Sequence, residues 1–214
     1  MSKTRPAVSI ICPTIESRKH LRQRVEFMAD YQTYPILELL FDKEPGTIGE
    51  KRNRLCDRAK GDVIIHMDDD DLYATYWIEV SVAELIKKES DMVGLSNACF
   101  TDIEDNYATW EYKYGISDKP FVLGATMVYW KETWRKHPFE HRNTGEDVKF
   151  QRARHEPINI VPHNFKEGFL ATIHEGNTCK RIVECVDYTR LEEEKEKEIK
   201  HLWEKLVAIG NATI

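Results

Sequence analysis

The sequence contains no run of 18 apolar residues and no charged-then-apolar leader after Met1, so neither a membrane span nor a signal peptide is expected. It has no internal repeat, which sets aside a repeat array. Charge of one sign is scarce in excess: 31 basic and 37 acidic residues are well mixed and leave a net charge of -6. A non-specific nucleic-acid binder would need a basic excess, so no nucleic-acid partner is expected. Small anionic ligands respond to local charge and remain open. No CxxC spacing occurs among the five cysteines, Cys12, Cys56, Cys99, Cys179 and Cys185. Cys12 in an apolar run and Cys56 in a helical pattern read as reduced, hydrophobic thiols. A reducing, cytoplasmic compartment is therefore expected. What is present in quantity is core material: 214 residues at 41% hydrophobic content suffice for one large domain, or one domain with a tail.

Ala7 to Cys12 (AVSIIC) is a first strand, broken by Pro13 and Thr14. Leu21, Val25, Met28 and Ala29 fall on one helical face, which predicts a helix from about Ser17 to Tyr31. Ile36 to Phe41 is a second strand closing on Asp42, and Thr47 to Lys60 a second helix with Gly49 near its start. Asp62 to Met67 is a third strand. Strand, helix, strand, helix, strand at these lengths makes βαβ units with a parallel sheet. Three strand ends, Thr14, Asp42 and Asp68 to Asp71, then meet on one edge, where open α/β sheets bind nucleotides.

Gly61 to Tyr73 (GDVIIHMDDDDLY) is the stretch that carries most chemistry. An apolar, β-branched strand runs straight into four carboxylates. Such crowding is unfavourable unless a cation or solvent compensates. A hard divalent ion, Mn²⁺ or Mg²⁺, would do so; taken alone, four aspartates are equally a solvated turn. Further on, Tyr76 to Lys88 predicts a helix burying Ile78, Val82, Leu85 and Ile86. Met92 to Leu95, Tyr107 to Tyr112, Gly124 to Trp130 and Ile158 to Val161 read as strands, some antiparallel. Tyr107, Trp110, Tyr112, Tyr114, Tyr129, Trp130 and Trp134 are dense there, as core packing or as a platform for a sugar ring. Thr189 to Ile209 predicts a charged helix with Ile199, Leu202, Leu206 and Ile209 on one stripe.

Together, Pro13-Thr14, Asp42, Gly49-Glu50-Lys51-Arg52-Asn53, Asp68-Asp69-Asp70-Asp71 and Glu146-Asp147 stand in the order of a GT-A type glycosyltransferase, and the chain resembles glycosyltransferase family 2. Small virus-encoded glycosyltransferase domains are similar in size. The resemblance covers about residues 7 to 178 and implies an α/β, Rossmann-like nucleotide-diphospho-sugar transferase fold. Its central sheet would be mixed, mainly parallel and flanked by helices. Residues 1–188 would form the GT-A domain, with 1–100 the nucleotide-binding half and 101–188 the acceptor-side half. Residues 189–214 would be a helix, docked or leading to a further domain.

By the same resemblance, Pro13, Thr14, Glu16, Asp42, Arg52, Asn53, Asp68 and Asp69 would hold a UDP-sugar. Thr14 and Asp42 would contact the uridine, Arg52 the base or diphosphate, and Asp68 the ribose. Asp69 occupies a variable position of the motif and is expected to tolerate change. Asp70 would ligate the metal. His174, in the FLATIHEGNT stretch, resembles an H-x-x-N-T piece that lies near the metal or diphosphate and completes it with Asn177 and Thr178. His163 is a weaker candidate. Asp147, with Glu146 beside it, matches the general base acting on the hydroxyl of a glycan or glycoprotein acceptor. Both acids also suit a helix N-terminus. At the second strand Asp42-Lys43-Glu44-Pro45-Gly46 replaces the usual D-D-G-S, which bears on base recognition.

A sugar-phosphate nucleotidyltransferase would need a G-x-G-T-R loop where this chain has CPTIESR. A metal-dependent phosphohydrolase draws histidines and acids from several strand ends, whereas the early strand ends here offer acids and a threonine. A non-catalytic nucleotide-sugar or glycan-binding module would keep Asp42 and the acidic strand end without needing Asp147.

Overall fold

The β-branched runs become the middle strands of a six-stranded sheet in the computed structural model, which describes residues 5–105, 107–113, 120–153, 157–163, 168–177, 188–198 and 200–201. β1 (Val8–Pro13) lies between β2 (Glu38–Asp42) and β3 (Val63–His66), parallel to both. Helix α1 (Lys19–Asp30), preceded by a 3₁₀ turn at Glu16–Arg18, links β1 to β2, and α2 (Ile48–Arg58) links β2 to β3. The connection from β1 to β2 thus runs one way and the connection from β2 to β3 returns across β1 to its other side, which opens a crevice beyond the strand ends. The register sets Pro13 beside Asp42 and Ile11 beside His66, so Thr14 leaves the sheet between Asp42 and the aspartates after β3.

Side chains alternate across these strands with the period of two that a pleat imposes. Ile10, Cys12, Val63 and Ile65 join Val25 and Met28 of α1 in one core. Ile11 and Ile64 join Leu55 and Cys56 of α2 in the other. Helix α3 (Trp77–Lys87) buries Ile78, Val82 and Leu85 as expected, but Ile86 is exposed: it lies one residue off the face that meets the sheet.

The sheet continues through β8 (Val128–Trp130), antiparallel to its neighbours, then β5 (Met92–Leu95) and β9 (Ile160–His163). Only the last part of the expected strand 124–130 is a strand. Gly124–Thr126 forms a 3₁₀ turn, with the Thr126 hydroxyl donating to the Leu123 carbonyl at 2.8 Å.

A second, five-stranded sheet was not expected. It runs in the order β11 (Tyr188–Arg190), β7 (Ala108–Lys113), β6 (Asn97–Asp102), β10 (Phe169–Ile173), β4 (Leu72–Tyr73). Its strands are short and, apart from the local hairpin of β6 and β7, pair distant residues such as Tyr73 with Phe169, Cys99 with Leu170 and Tyr112 with Tyr188. Local periodicity therefore does not reveal the sheet. Tyr188–Arg190 pairs with β7 where a helix was expected, and helix follows at 193–198 and 200–201. That segment docks through Glu196, which accepts from the Thr109 N–H at 3.0 Å. The stripe residues Ile199, Leu202, Leu206 and Ile209, with Tyr114, Thr178, Cys179 and Cys185, lie outside the described residues. No helix among the described residues is long and apolar enough to cross a membrane.

Candidate active site

A cavity of about 530 Å³ opens beyond the ends of β1 and β3, a volume suited to a nucleotide-sized ligand. Pro13, Thr14, Arg52, Asp68, Asp69 and Asp70 line one wall. Glu146 and Asp147, at the start of the short helix α5 (Glu146–Gln151), line another. Eight of the twelve residues singled out in the sequence thus share one space, while Glu16, Asp42, Asn53 and His174 are not in its lining.

The acidic turn is pinned from both sheets. The Asp68 N–H donates to the Tyr73 hydroxyl (3.0 Å), which donates to the Ala125 carbonyl (2.9 Å). Asp71 accepts the Thr172 N–H at 2.9 Å, and the Thr172 hydroxyl donates to the Asp70 carbonyl at 2.8 Å. Asp69 is buried, accepting from Thr14 Oγ1 at 2.5 Å and Arg18 at 2.7 Å. With both oxygens engaged, it is poorly placed to tolerate the substitution expected of a variable position.

Asp70 Oδ2 faces His174 Nε2 at 3.0 Å and Arg18 at 3.1 Å. The Gly176 N–H donates to His174 Nδ1 at 3.0 Å, so in the neutral ring the proton sits on Nε2 and points at Asp70. Asp68 Oδ1 is buried without a hydrogen-bond partner, with Arg52 at 3.7 Å. Burial, opposed by Arg52 and reinforced by Asp70 and Asp69, holds its carboxyl above the ordinary carboxylate range.

Among the described residues no three His, Cys, Asp or Glu side chains converge as a ready-made metal cage. The residues nevertheless fit a hard divalent ion that takes further ligands from a diphosphate. An orphaned, buried carboxylate oxygen calls for positive charge. Asp70 and His174, hydrogen-bonded to each other at 3.0 Å, set two candidate ligand side chains next to one another.

The G-x-x-R-N segment works differently from its expected part. Thr47 caps α2 in a capping box with Glu50. A Cβ on Gly49 would come within 1.9 Å of the Glu140 carbonyl, so glycine lets the 139–143 segment lie against the helix. Asn53 holds that segment, donating to the Phe139 carbonyl (2.8 Å) and accepting from the Phe139 N–H and Trp134 Nε1 (2.9 Å each). Arg52 is buried and pairs with Glu146 at 2.5 Å, joining the acidic strand end to α5. Asp42, also buried, is clamped by Arg54 (2.7 and 3.1 Å) and accepts the Glu44 N–H at 3.0 Å. Burial alone would raise its carboxyl, but these bonds outweigh it and hold the pKa low. Glu16 pairs with Lys43 at 2.8 Å, exposed to solvent. His163 sits by Ser81 and the Trp77 ring, outside the cavity lining.

Asp147 has no cation paired with it among the described residues; Oδ1 accepts the Val148 N–H at 2.8 Å. Gly124 makes room for the side chain, since a Cβ there would sit 2.6 Å from Asp147 Oδ2. The Gly124 carbonyl accepts from His66 Nδ1 at 2.9 Å, and His66 Nε2 accepts from the Tyr129 hydroxyl at 3.0 Å. Burial, then Arg52, hold His66 well below its ordinary pKa, so the ring is neutral.

Sequence reasoning missed Arg18, Lys51, Phe121 and Gly124, all of which line the cavity. Arg18 and Lys51 stood inside recognised motif segments, but nothing in their spacing said that they face inward. Of the aromatics expected to offer a sugar platform, the described ones do not line it; Phe100 and Phe121 do.

Acids at the ends of β2 and β3, on either side of β1, and a cavity beyond the strand ends accord with an α/β domain of the GT-A type. The chain belongs to the family described as glycosyl transferase family 2, whose profile matches residues 16–143. Among solved structures, S. aureus TarS 1-349 in complex with UDP-GlcNAc superposes with a TM-score of 0.59 at 16% identity, over 90% of this chain and 70% of that one. Another crystal structure of TarS 1-349 gives 0.56 at 15%, over 78% and 60%. Mannosyltransferase PcManGT from Pyrobaculum calidifontis, in complex with GDP-Man and Mn²⁺, gives 0.53 at 13%, over 80% and 57%. At these identities the likeness is one of fold. The chain spans 60% of that TarS chain and 57% of PcManGT. No curated protein matches it.

Proposed function

We propose that this chain transfers a sugar from a UDP-sugar to a hydroxyl of a glycan or glycoprotein, with Mn²⁺ or Mg²⁺ bound at Asp70 and His174. The observation that carries the reading is that the acidic strand end and Asp147, which has no paired cation among the described residues, line one cavity. Thr14 and Asp68 hold the nucleoside and ribose from the strand ends. Asp42, clamped by Arg54 outside the cavity lining, is assigned to the base by the resemblance. Family membership supports a nucleotide-sugar donor. Uridine rests on the resemblance at Thr14 and Asp42, and a UDP-GlcNAc complex of TarS accords with it.

In the transfer step Asp147 accepts the proton of the acceptor hydroxyl as its oxygen attacks the anomeric carbon. The bond from that carbon to the diphosphate oxygen breaks, and its electron pair leaves with UDP. The bound ion supplies neutralisation of that leaving charge. Arg52 and Glu146, paired with each other in the cavity lining, tie the base-bearing helix to the acidic strand end. Attack from the face opposite UDP inverts the anomeric configuration.

The test is incubation with UDP-sugars and Mn²⁺, followed by NMR of the anomeric proton. UDP release that EDTA abolishes, with the first product inverted, is the expected result. Release of UDP unaffected by EDTA would remove the metal. Retention would remove Asp147 as a simple base, and no release from any UDP-sugar would remove the activity.

A further inference from the structure

The Arg18 guanidinium lies against the carboxylates that the proposed function assigns to donor and metal. Nη1 donates to Asp69 Oδ1 at 2.7 Å and to Asp70 Oδ2 at 3.1 Å, while Nη2 donates to the Gly176 carbonyl at 2.5 Å. Its charge is therefore applied to the carboxylate that the cation would need, and it also holds the turn at 174–177. The same turn sets the proton on His174: with the Gly176 N–H on Nδ1, Nε2 donates to Asp70 and has no lone pair to offer an ion. For Nε2 to become a ligand, Nδ1 must take the proton, and the Gly176 N–H must leave it.

We propose that Arg18 is a stand-in cation and latch, which a divalent ion must displace together with the 174–177 turn. This inference rests on the proposed metal site. Displacing a charge-assisted, two-carboxylate contact weakens binding of the ion alone. A diphosphate offsets that loss, because it supplies ligands to the ion and a new anionic partner for the released guanidinium. Metal and UDP then bind cooperatively, each poorly without the other.

The experiment is Mn²⁺ binding to the whole chain without nucleotide, followed by the loss of free-ion EPR signal, in the parent, Arg18→Gln and Arg18→Gln/Asp70→Asn. The expected result is Mn²⁺ binding about tenfold to a hundredfold tighter in Arg18→Gln, with the gain lost in the double variant. Mn²⁺ and UDP should also lose most of their mutual enhancement in Arg18→Gln. Equal or weaker Mn²⁺ binding in that variant, while the parent still binds Mn²⁺ with UDP, overturns the inference and leaves the metal site standing. A parent that binds no Mn²⁺ even with UDP overturns the site itself. If Arg18→Gln melts early in EDTA, Mn²⁺ should restore its melting temperature, as it would not for a purely structural arginine. Failure to restore it counts against the exchange.

Discussion

The two walls of the cavity handle negative charge in opposite ways. On the wall built by residues 13–71, most acids have a cation beside them: Asp69 and Asp70 have Arg18 and Asp68, more loosely, has Arg52. Asp71 has no ion pair among the described residues and accepts the Thr172 N–H; Asp42, outside the lining, is held by Arg54. On the wall built by residues 124–147, Glu146 is consumed by Arg52 and Asp147 has no cation among the described residues. A polyanion can approach the first wall only where positive charge is already stored or brought with it. A base must keep a lone pair free, and an ion pair would hold its basicity down. Matched charge suits binding, and an unmatched carboxylate suits proton abstraction.

The largest effect should come from cutting the tie between the walls. Arg52 and Glu146 are both buried, so Arg52→Met strands a carboxylate and should cost about 3–5 kcal/mol in urea denaturation. Arg52→Met/Glu146→Leu should regain part of that loss, the remainder reflecting Asp68. A cost under about 1 kcal/mol for the single change would show that the walls are joined by other contacts.

Next comes the unmatched acid. Asp147→Asn should lower transfer on the order of 10²-fold or more while UDP affinity, read by calorimetry, stays the same. If UDP binding falls in step with transfer, Asp147 belongs to the binding wall and the contrast collapses.

Gly124→Ala sharpens the same point with a smaller effect. The new Cβ would also lie 3.2 Å from Asp147 Cβ and Cγ, so the carboxylate must swing aside. Misplacing a reacting group by about 1 Å can cost up to 10²-fold; we expect about tenfold in transfer, with little change in melting temperature. Unchanged transfer would mean that Asp147 is not held by this contact.

The last effect concerns Arg54, which is 39% exposed on its side chain. Arg54→Ala should cost about 1–3 kcal/mol, because it strips two hydrogen bonds from the buried Asp42 carboxylate, a loss limited by the water that can enter where the exposed arginine stood. UDP should bind more tightly than GDP or ADP in the parent, and that preference should shift in the variant if Asp42 reads the base. Equal affinities across the three nucleotides in the parent would separate Asp42 from base recognition.

The first half of this chain was legible because its elements are local. Apolar runs of the right length, punctuated by Pro13, Pro35 and Gly61, dictate β1, β2 and β3, and their parallel pairing brings Thr14, Asp42 and Asp68 to one edge. Residue order also placed Asp147 at a helix start. Tertiary structure alone decided what each charged group does. The second sheet joins Tyr73 to Phe169 and Phe100 to Ala171, pairings that no local period encodes. Arg52 lines the cavity and is also tied to Glu146, 94 positions away, a partner that no local pattern encodes. Arg18 reaches Gly176 across 158 positions. Backbone propensity and hydrophobic period act over a few residues, whereas the partner of a charge is set by which distant segments the packed core brings within about 3 Å.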